Sequence, residues 1–129
     1  MTALIIDDEK EIRETISKIL ALENTSSVCA ETGAKAIAKY SSGDRFDFVI
    51  CDIVMPEKEG LETIMEIKKI DSSAKILAIS GGGRASSTEY LLIAKKFGAD
   101  NSLRKPFRKS ELLDAIEEMF PSPIFDRAG

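Results

Sequence analysis

"FDFVICD", residues 46–52, decides how the chain folds. From Phe48 to Cys51 every residue is apolar, with no alternation between a wet and a dry face. A strand-length run of this kind belongs at the centre of a parallel sheet that is covered on both sides. It closes on Asp52, and an acid ending so apolar a run needs a partner.

Working outward, strand-length apolar runs alternate with stretches of helical period. Thr2–Ile6 and 27–30 read as strands before the central run, "AKILAIS" (74–80) and Asn101–Arg104 after it. Between them, Ile12, Ile16, Ile19 and Leu20 mark one amphipathic stripe, and an alanine-rich helix is predicted over 34–40. Leu61, Ile64, Met65 and Ile67 give a third helix after Pro56, and a fourth over 89–97 stops at Gly98. Leu112, Leu113, Ile116, Met119 and Phe120 give the last. Five βα units in this order predict an α/β domain, a doubly wound parallel sheet with helices on both faces. Ligands of such sheets lie outside the carboxyl ends of the strands.

That rule turns the strand ends into a candidate site. In "LIIDDEK", residues 4–10, the first strand runs into Asp7, Asp8 and Glu9, like charges that destabilise one another unless something positive lies among them. The third strand ends at Asp52, the fourth at Ser80, and the fifth just before Lys105. Three carboxylates, a hydroxyl and an ammonium are thereby predicted to converge at one sheet edge. The carboxylates form a hard oxygen site suited to Mg²⁺, which would supply the missing positive charge. With the cation in place, Asp52 suits the role of a nucleophile toward phosphorus, giving an acyl phosphate. Lys105 and the Ser80 hydroxyl would meet two other phosphoryl oxygens. Taken singly, each group has a plainer reading: the acid pair as a helix N-terminus, Ser80 as a turn residue, Lys105 as a solvated lysine.

Composition prunes the remaining classes. At 129 residues and 43% hydrophobic, the chain suits one domain with one core. A net charge of −4 carries no basic footprint for nucleic acid. Apolar runs fall far short of the ~20 residues of a membrane span, and a strand begins at once, so a cytoplasmic protein without a signal peptide is expected. Cys29 and Cys51 sit inside apolar runs and read as inert small hydrophobes. The chain has no histidine, which excludes His-based triads, His-ligated zinc and a histidine phosphocarrier.

At these residues the sequence resembles the receiver domains of two-component response regulators, of the chemotaxis-regulator type. "IIDDEKEIRE", "FVICDIVMPEKEG", "ILAIS" and "GADNSLRKPF" stand in the family's order and spacing, and the likeness covers about residues 2–120. It implies a flavodoxin-like (βα)5 fold with strand order 2-1-3-4-5. It also implies that Asp52 accepts a phosphoryl group from a histidine on a sensor kinase or phosphotransfer protein. Asp7, Asp8, Asp52 and the Val54 backbone carbonyl would bind Mg²⁺ or Mn²⁺, and Lys105 and Ser80 would contact the phosphate. The peptide from Lys105 to Pro106 would be cis. Catalysis would be limited to the protein's own phosphorylation and dephosphorylation. The switch region would comprise Ser80, Gly81, Gly82 and Ser102, and the output surface the fourth helix, fifth strand and fifth helix, including Tyr90, Ser102 and Arg104. That face would meet an unknown downstream protein, and a homodimer through it is compatible with the sequence.

Three departures from the family pattern carry expectations of their own. Many members have an aromatic three residues before the lysine; Ser102 stands there, so the usual coupling of hydroxyl movement to a ring flip lacks its ring. Gly81, Gly82 and Gly83 follow Ser80, a loop that reads either as N–H donors closing on a phosphoryl group or as a plain connection. Val54 and Gly82, two past Asp52 and Ser80, cannot hydrogen-bond an attacking water through a side chain, so slow self-dephosphorylation is expected. Residues 121–129 read as a C-terminal tail or the start of a linker, and a stand-alone receiver is favoured. A haloacid-dehalogenase-type phosphatase would need an acid where Val54 stands. A phosphate-independent flavodoxin-like module would place its phosphate loop where Asp7, Asp8 and Glu9 stand. A degenerate receiver serving only as a dock predicts a lost acid or lysine.

Overall fold

The structure, a computed structural model, describes residues 1–53, 60–81 and 87–127. Among these residues strands and helices alternate: β1 (Thr2–Ile6), α1 (Lys10–Leu22), β2 (Ser26–Ala30), α2 (Gly33–Ser41), β3 (Phe48–Asp52), α3 (Gly60–Ile70), β4 (Ile76–Ser80), α4 (Ser87–Phe97), β5 (Asn101–Arg104) and α5 (Lys109–Glu117). The strands form one sheet in the order β2-β1-β3-β4-β5, every pair parallel. This is the expected fold and strand order.

Side-chain alternation along the strands builds two cores. Leu4, Ile6, Val49, Cys51, Ile76 and Ala78 face α2, α3 and α4, where Tyr40, Ile64, Ile67 and Ala94 cover them. Their neighbours Ala3, Ile5, Phe48, Ile50, Leu77 and Ile79 face α1 and α5, against Ile16, Leu20, Leu112 and Ile116. All five residues of β3 are buried, as a central strand covered on both faces must be.

The differences from the sequence reading are local. Strand β2 starts at Ser26, and α4 starts two residues before the expected position. Helix α2 starts at Gly33 because the Thr32 hydroxyl caps it, accepting the Lys35 N–H at 3.1 Å. Gly98 does end α4, at φ +122°, with the Lys68 stem packed where a Cβ would go. The two cysteines, read alike from the sequence, differ in exposure. Cys51 is fully buried, but Cys29 is exposed, because β2 is an edge strand whose faces are incompletely covered. Beyond α5 the chain turns back onto the domain. Phe125 is buried beside Phe48, whose ring meets those of Phe120 and Phe125 edge-on at 6.3 and 6.4 Å. Glu117 Oε2 accepts the N–H groups of Ile124 and Phe125, both at 3.0 Å, and Oε1 pairs with Arg127 at 2.8 Å. No described helix is long and apolar enough to cross a membrane.

Candidate functional site

Each chemically active group stands where its strand runs out. Asp7 follows β1 and is held by backbone: its N–H donates to the Ala30 carbonyl at 3.2 Å, and its carbonyl accepts from Arg13 Nη1 at 2.8 Å. Asp52 is the last residue of β3 and Ser80 the last of β4. Lys105 follows β5, its N–H bonded to the Ser80 carbonyl at 2.8 Å. Parallel pairing aligns these ends at one edge, so residues far apart in sequence meet.

Lys105 lies in their midst. Its Nζ is 3.0 Å from Asp7 Oδ2, 3.4 Å from Asp52 Oδ2 and 3.5 Å from Glu9 Oε1. Carboxylate oxygens of Asp7, Asp8, Glu9 and Asp52 all lie within 4.8 Å of one another. Part of the positive charge that the acidic cluster demands is therefore supplied by the protein itself. Among the described residues, one ammonium set against four carboxylates leaves a negative excess, and the donor set is all hard oxygen, the chemistry that suits a divalent cation. Burial raises the pKa of Asp7; the Glu9 N–H, donating to Oδ1 at 2.9 Å, and Lys105 offset only part of that rise. For Lys105 burial acts downward, but the hydrogen bond to Asp7 and the charges of Asp52, Asp7 and Glu9 outweigh it, so the ammonium is held charged above its ordinary range. Burial and the charges of Asp52 and Asp7 push the Cys51 thiol up, which keeps it protonated and inert.

Ser80 completes the group. Its residue is fully buried, and its hydroxyl has no hydrogen-bond partner among the described residues. A buried orphan hydroxyl beside a carboxylate cluster is a donor with nothing to donate to, which calls for a ligand oxygen. The residues present thus fit both a cation and an oxyanion.

The structure brings together Asp7, Asp8, Asp52, Ser80 and Lys105, and the Lys105–Pro106 peptide is cis. Ser102 sits further back on β5, paired in register with Ala78. Val54 and Gly82 lie outside the described residues, as does the side chain of Tyr90. Glu9, named in the sequence reading only as one of the like charges after the first strand, joins the acidic cluster itself. Gly60 escaped that reading. Gly60 is pressed against the end of β3: a Cβ there would stand 2.2 Å from the Asp52 carbonyl oxygen. Gly81 acts similarly, leaving room for the Lys105 stem, whose Cδ lies 2.8 Å from where a Cβ would be.

Comparison with known proteins bears directly on this arrangement. The family model described as "Response regulator receiver domain" matches residues 3–117. The chain belongs to the response regulator receiver family. Among curated receivers, it is 36% identical over 116 residues to the chemotaxis protein CheY of Halobacterium salinarum, covering 90% of this chain and 93% of that one. With CheY of Bacillus subtilis the identity is 37% over 116 residues, covering 89% and 93%. A response regulator receiver domain protein from Clostridium thermocellum superposes with a TM-score of 0.82 at 28% identity, 92% of each chain being covered.

Proposed function

We propose that this receiver accepts a phosphoryl group on Asp52 from a histidine of a partner kinase or phosphotransfer protein, with Mg²⁺ or Mn²⁺ bound by Asp7, Asp8, Asp52 and the Val54 carbonyl. The observation that supports this best is the convergence of a buried carboxylate, a buried ammonium and an unpartnered buried hydroxyl at one sheet edge. When bound, the cation neutralises carboxylates and draws charge from phosphoryl oxygens. Asp52 supplies the attacking oxygen: an O–P bond forms, the P–N bond to the donor imidazole breaks, and the imidazole leaves with its electron pair. As a carboxylate nucleophile, Asp52 would need no general base. Lys105 would turn from the carboxylates to one phosphoryl oxygen, and the Ser80 hydroxyl would donate to another.

Drawing Ser80 toward the phosphoryl group would bias a two-state arrangement of the face made by α4, β5 and α5. Leu92, Ile93 and Phe97 of α4 are exposed apolar side chains that suit a protein partner. The downstream target, or a second receiver, would meet that face. Slow loss of the phosphoryl group follows from the identities of Val54 and Gly82.

Intact-mass measurement after incubation with Mg²⁺ and acetyl phosphate tests the reading. A gain of one phosphoryl group is expected in the parent and none in Asp52→Asn. Turnover of donor with no trapped adduct would favour a phosphatase instead. After donor removal, the adduct is expected to persist well beyond seconds in a phosphate-release assay; loss within seconds would overturn the slow-release expectation.

A further inference from the structure

Glu9 stands at the N-cap of α1, a position whose side chain normally accepts a helix N–H, yet its carboxylate makes no such cap. Its backbone N–H is satisfied by Asp7 Oδ1, and its carboxylate turns to Lys105 instead. Of the three acids on that ammonium, Asp7 and Asp52 are all but buried, while the Glu9 side chain is 63% exposed. Lys105 is thus gripped from within by two carboxylates and from the solvent side by a third. Glu9 is thus the exposed negative charge on the ammonium that a phosphoryl group bound for Asp52 would have to reach.

We infer that Glu9 is a specificity-determining residue, a negative gate that slows phosphorylation by small, highly charged donors while leaving a histidine-borne phosphoryl group, presented by a complementary protein surface, the favoured source. The inference rests on the receiver reading of the site. Glu9 acts in two ways that can be separated. It occupies Lys105, which hinders every donor alike, and it repels the incoming donor in proportion to that donor's net charge. The second effect is the gate.

Acetyl phosphate and phosphoramidate make the distinction. Near neutral pH the first is a dianion, and the second a zwitterion with a net single negative charge. In both, an Asp52 oxygen forms the bond to phosphorus. Acetate leaves from the first as the P–O bond breaks; ammonia leaves from the second, its nitrogen already protonated, as the P–N bond breaks. Removing the gate should therefore help acetyl phosphate about twice as much on a logarithmic scale. For Glu9→Gln at low salt we expect the uptake rate to rise about tenfold with acetyl phosphate and about threefold with phosphoramidate. Glu9→Lys should extend both gains in the same order. Raising KCl to about 1 M, where the screening length falls to about 3 Å, should shrink the difference between donors.

Rates come from intact mass, Mg²⁺ affinity from calorimetry on each variant, and folding from circular dichroism. Calorimetry is expected to show a Mg²⁺ affinity changed less than about threefold by Glu9→Gln. Equal gains with both donors would reduce Glu9 to a restraint on Lys105 and overturn the gate. Unchanged rates would overturn it too. A drop in Mg²⁺ affinity beyond about tenfold, with slower uptake from both donors, would make Glu9 a metal ligand and overturn it by another route. If the parent takes up no phosphoryl group from either donor, the receiver reading itself falls, and the gate with it.

Discussion

Lys105→Met is expected to destabilise the metal-free protein by about 3–5 kcal/mol, the usual cost of stranding a buried ion-pair partner. The side chains of Asp7 and Asp52 are 0% and 4% exposed, and the Lys105 ammonium lies within 3.4 Å of both. Methionine keeps the length of the stem and removes the charge, so packing beneath Gly81 is preserved while the carboxylates lose their counter-charge. The deficit has a pH signature. A carboxylate whose folded pKa is raised, as that of Asp7 already is, stabilises the fold when protonated and loses that contribution as pH rises. The Lys105→Met deficit is therefore largest near neutral pH and fades as the solution is acidified. It should also fade with added Mg²⁺: at about 100 times its Kd, a ligand that binds only the folded state contributes about 2.7 kcal/mol. Denaturant titrations in EDTA and in Mg²⁺ check both statements. The reverse change, Asp7→Asn, should raise the midpoint in EDTA, because burial outweighs the partners of that carboxylate. Equal stability of parent and Lys105→Met in EDTA would show that the ammonium does not balance the cluster.

Gly60→Ala should rank next, although in most helices this exchange is favourable by about 1 kcal/mol. The added carbon would stand 2.2 Å from the Asp52 carbonyl oxygen, 2.4 Å from the Ile53 Cα and 2.9 Å from the Asp52 carbonyl carbon. All three are backbone atoms, so no side-chain rotation relieves the overlap. Either α3 lifts from the sheet or the end of β3 shifts, and both move Asp52. We expect a loss at or above the top of the ~1–3 kcal/mol range for overpacking. Phosphoryl uptake should fall together with it, since a nucleophile displaced by a fraction of an ångström loses much of its rate. An alanine variant with parental stability and parental uptake would show that the contact is not needed.

Much of this was legible in the chain itself. The apolar run before Asp52, with runs of similar length on either side and helical stripes between, fits a covered parallel sheet, because buried strands and amphipathic helices leave different periodicities. The strand ends then nominate Asp7, Asp8, Asp52, Ser80 and Lys105. What local pattern cannot carry is which side chain reaches which. Cys29 and Cys51 read alike as small hydrophobes inside apolar runs, yet exposure depends on whether another strand lies alongside, and among the described residues β2 has none on its outer edge. The segment after α5 read as a tail or the start of a linker, and no local pattern tells that Phe125 packs against Phe48.

The amino-acid sequence by itself determined the sheet, its covering helices and the residue types delivered to its carboxyl edge, since these follow from periodicity along contiguous chain. Tertiary structure alone decided that the Lys105 ammonium pairs directly with Asp7 and Asp52, that the exposed Glu9 carboxylate joins them on it, and that Gly60 rests on the Asp52 carbonyl. Contacts between residues up to 98 positions apart depend on strand register, helix position and side-chain reach, and none of these leaves a local repeat.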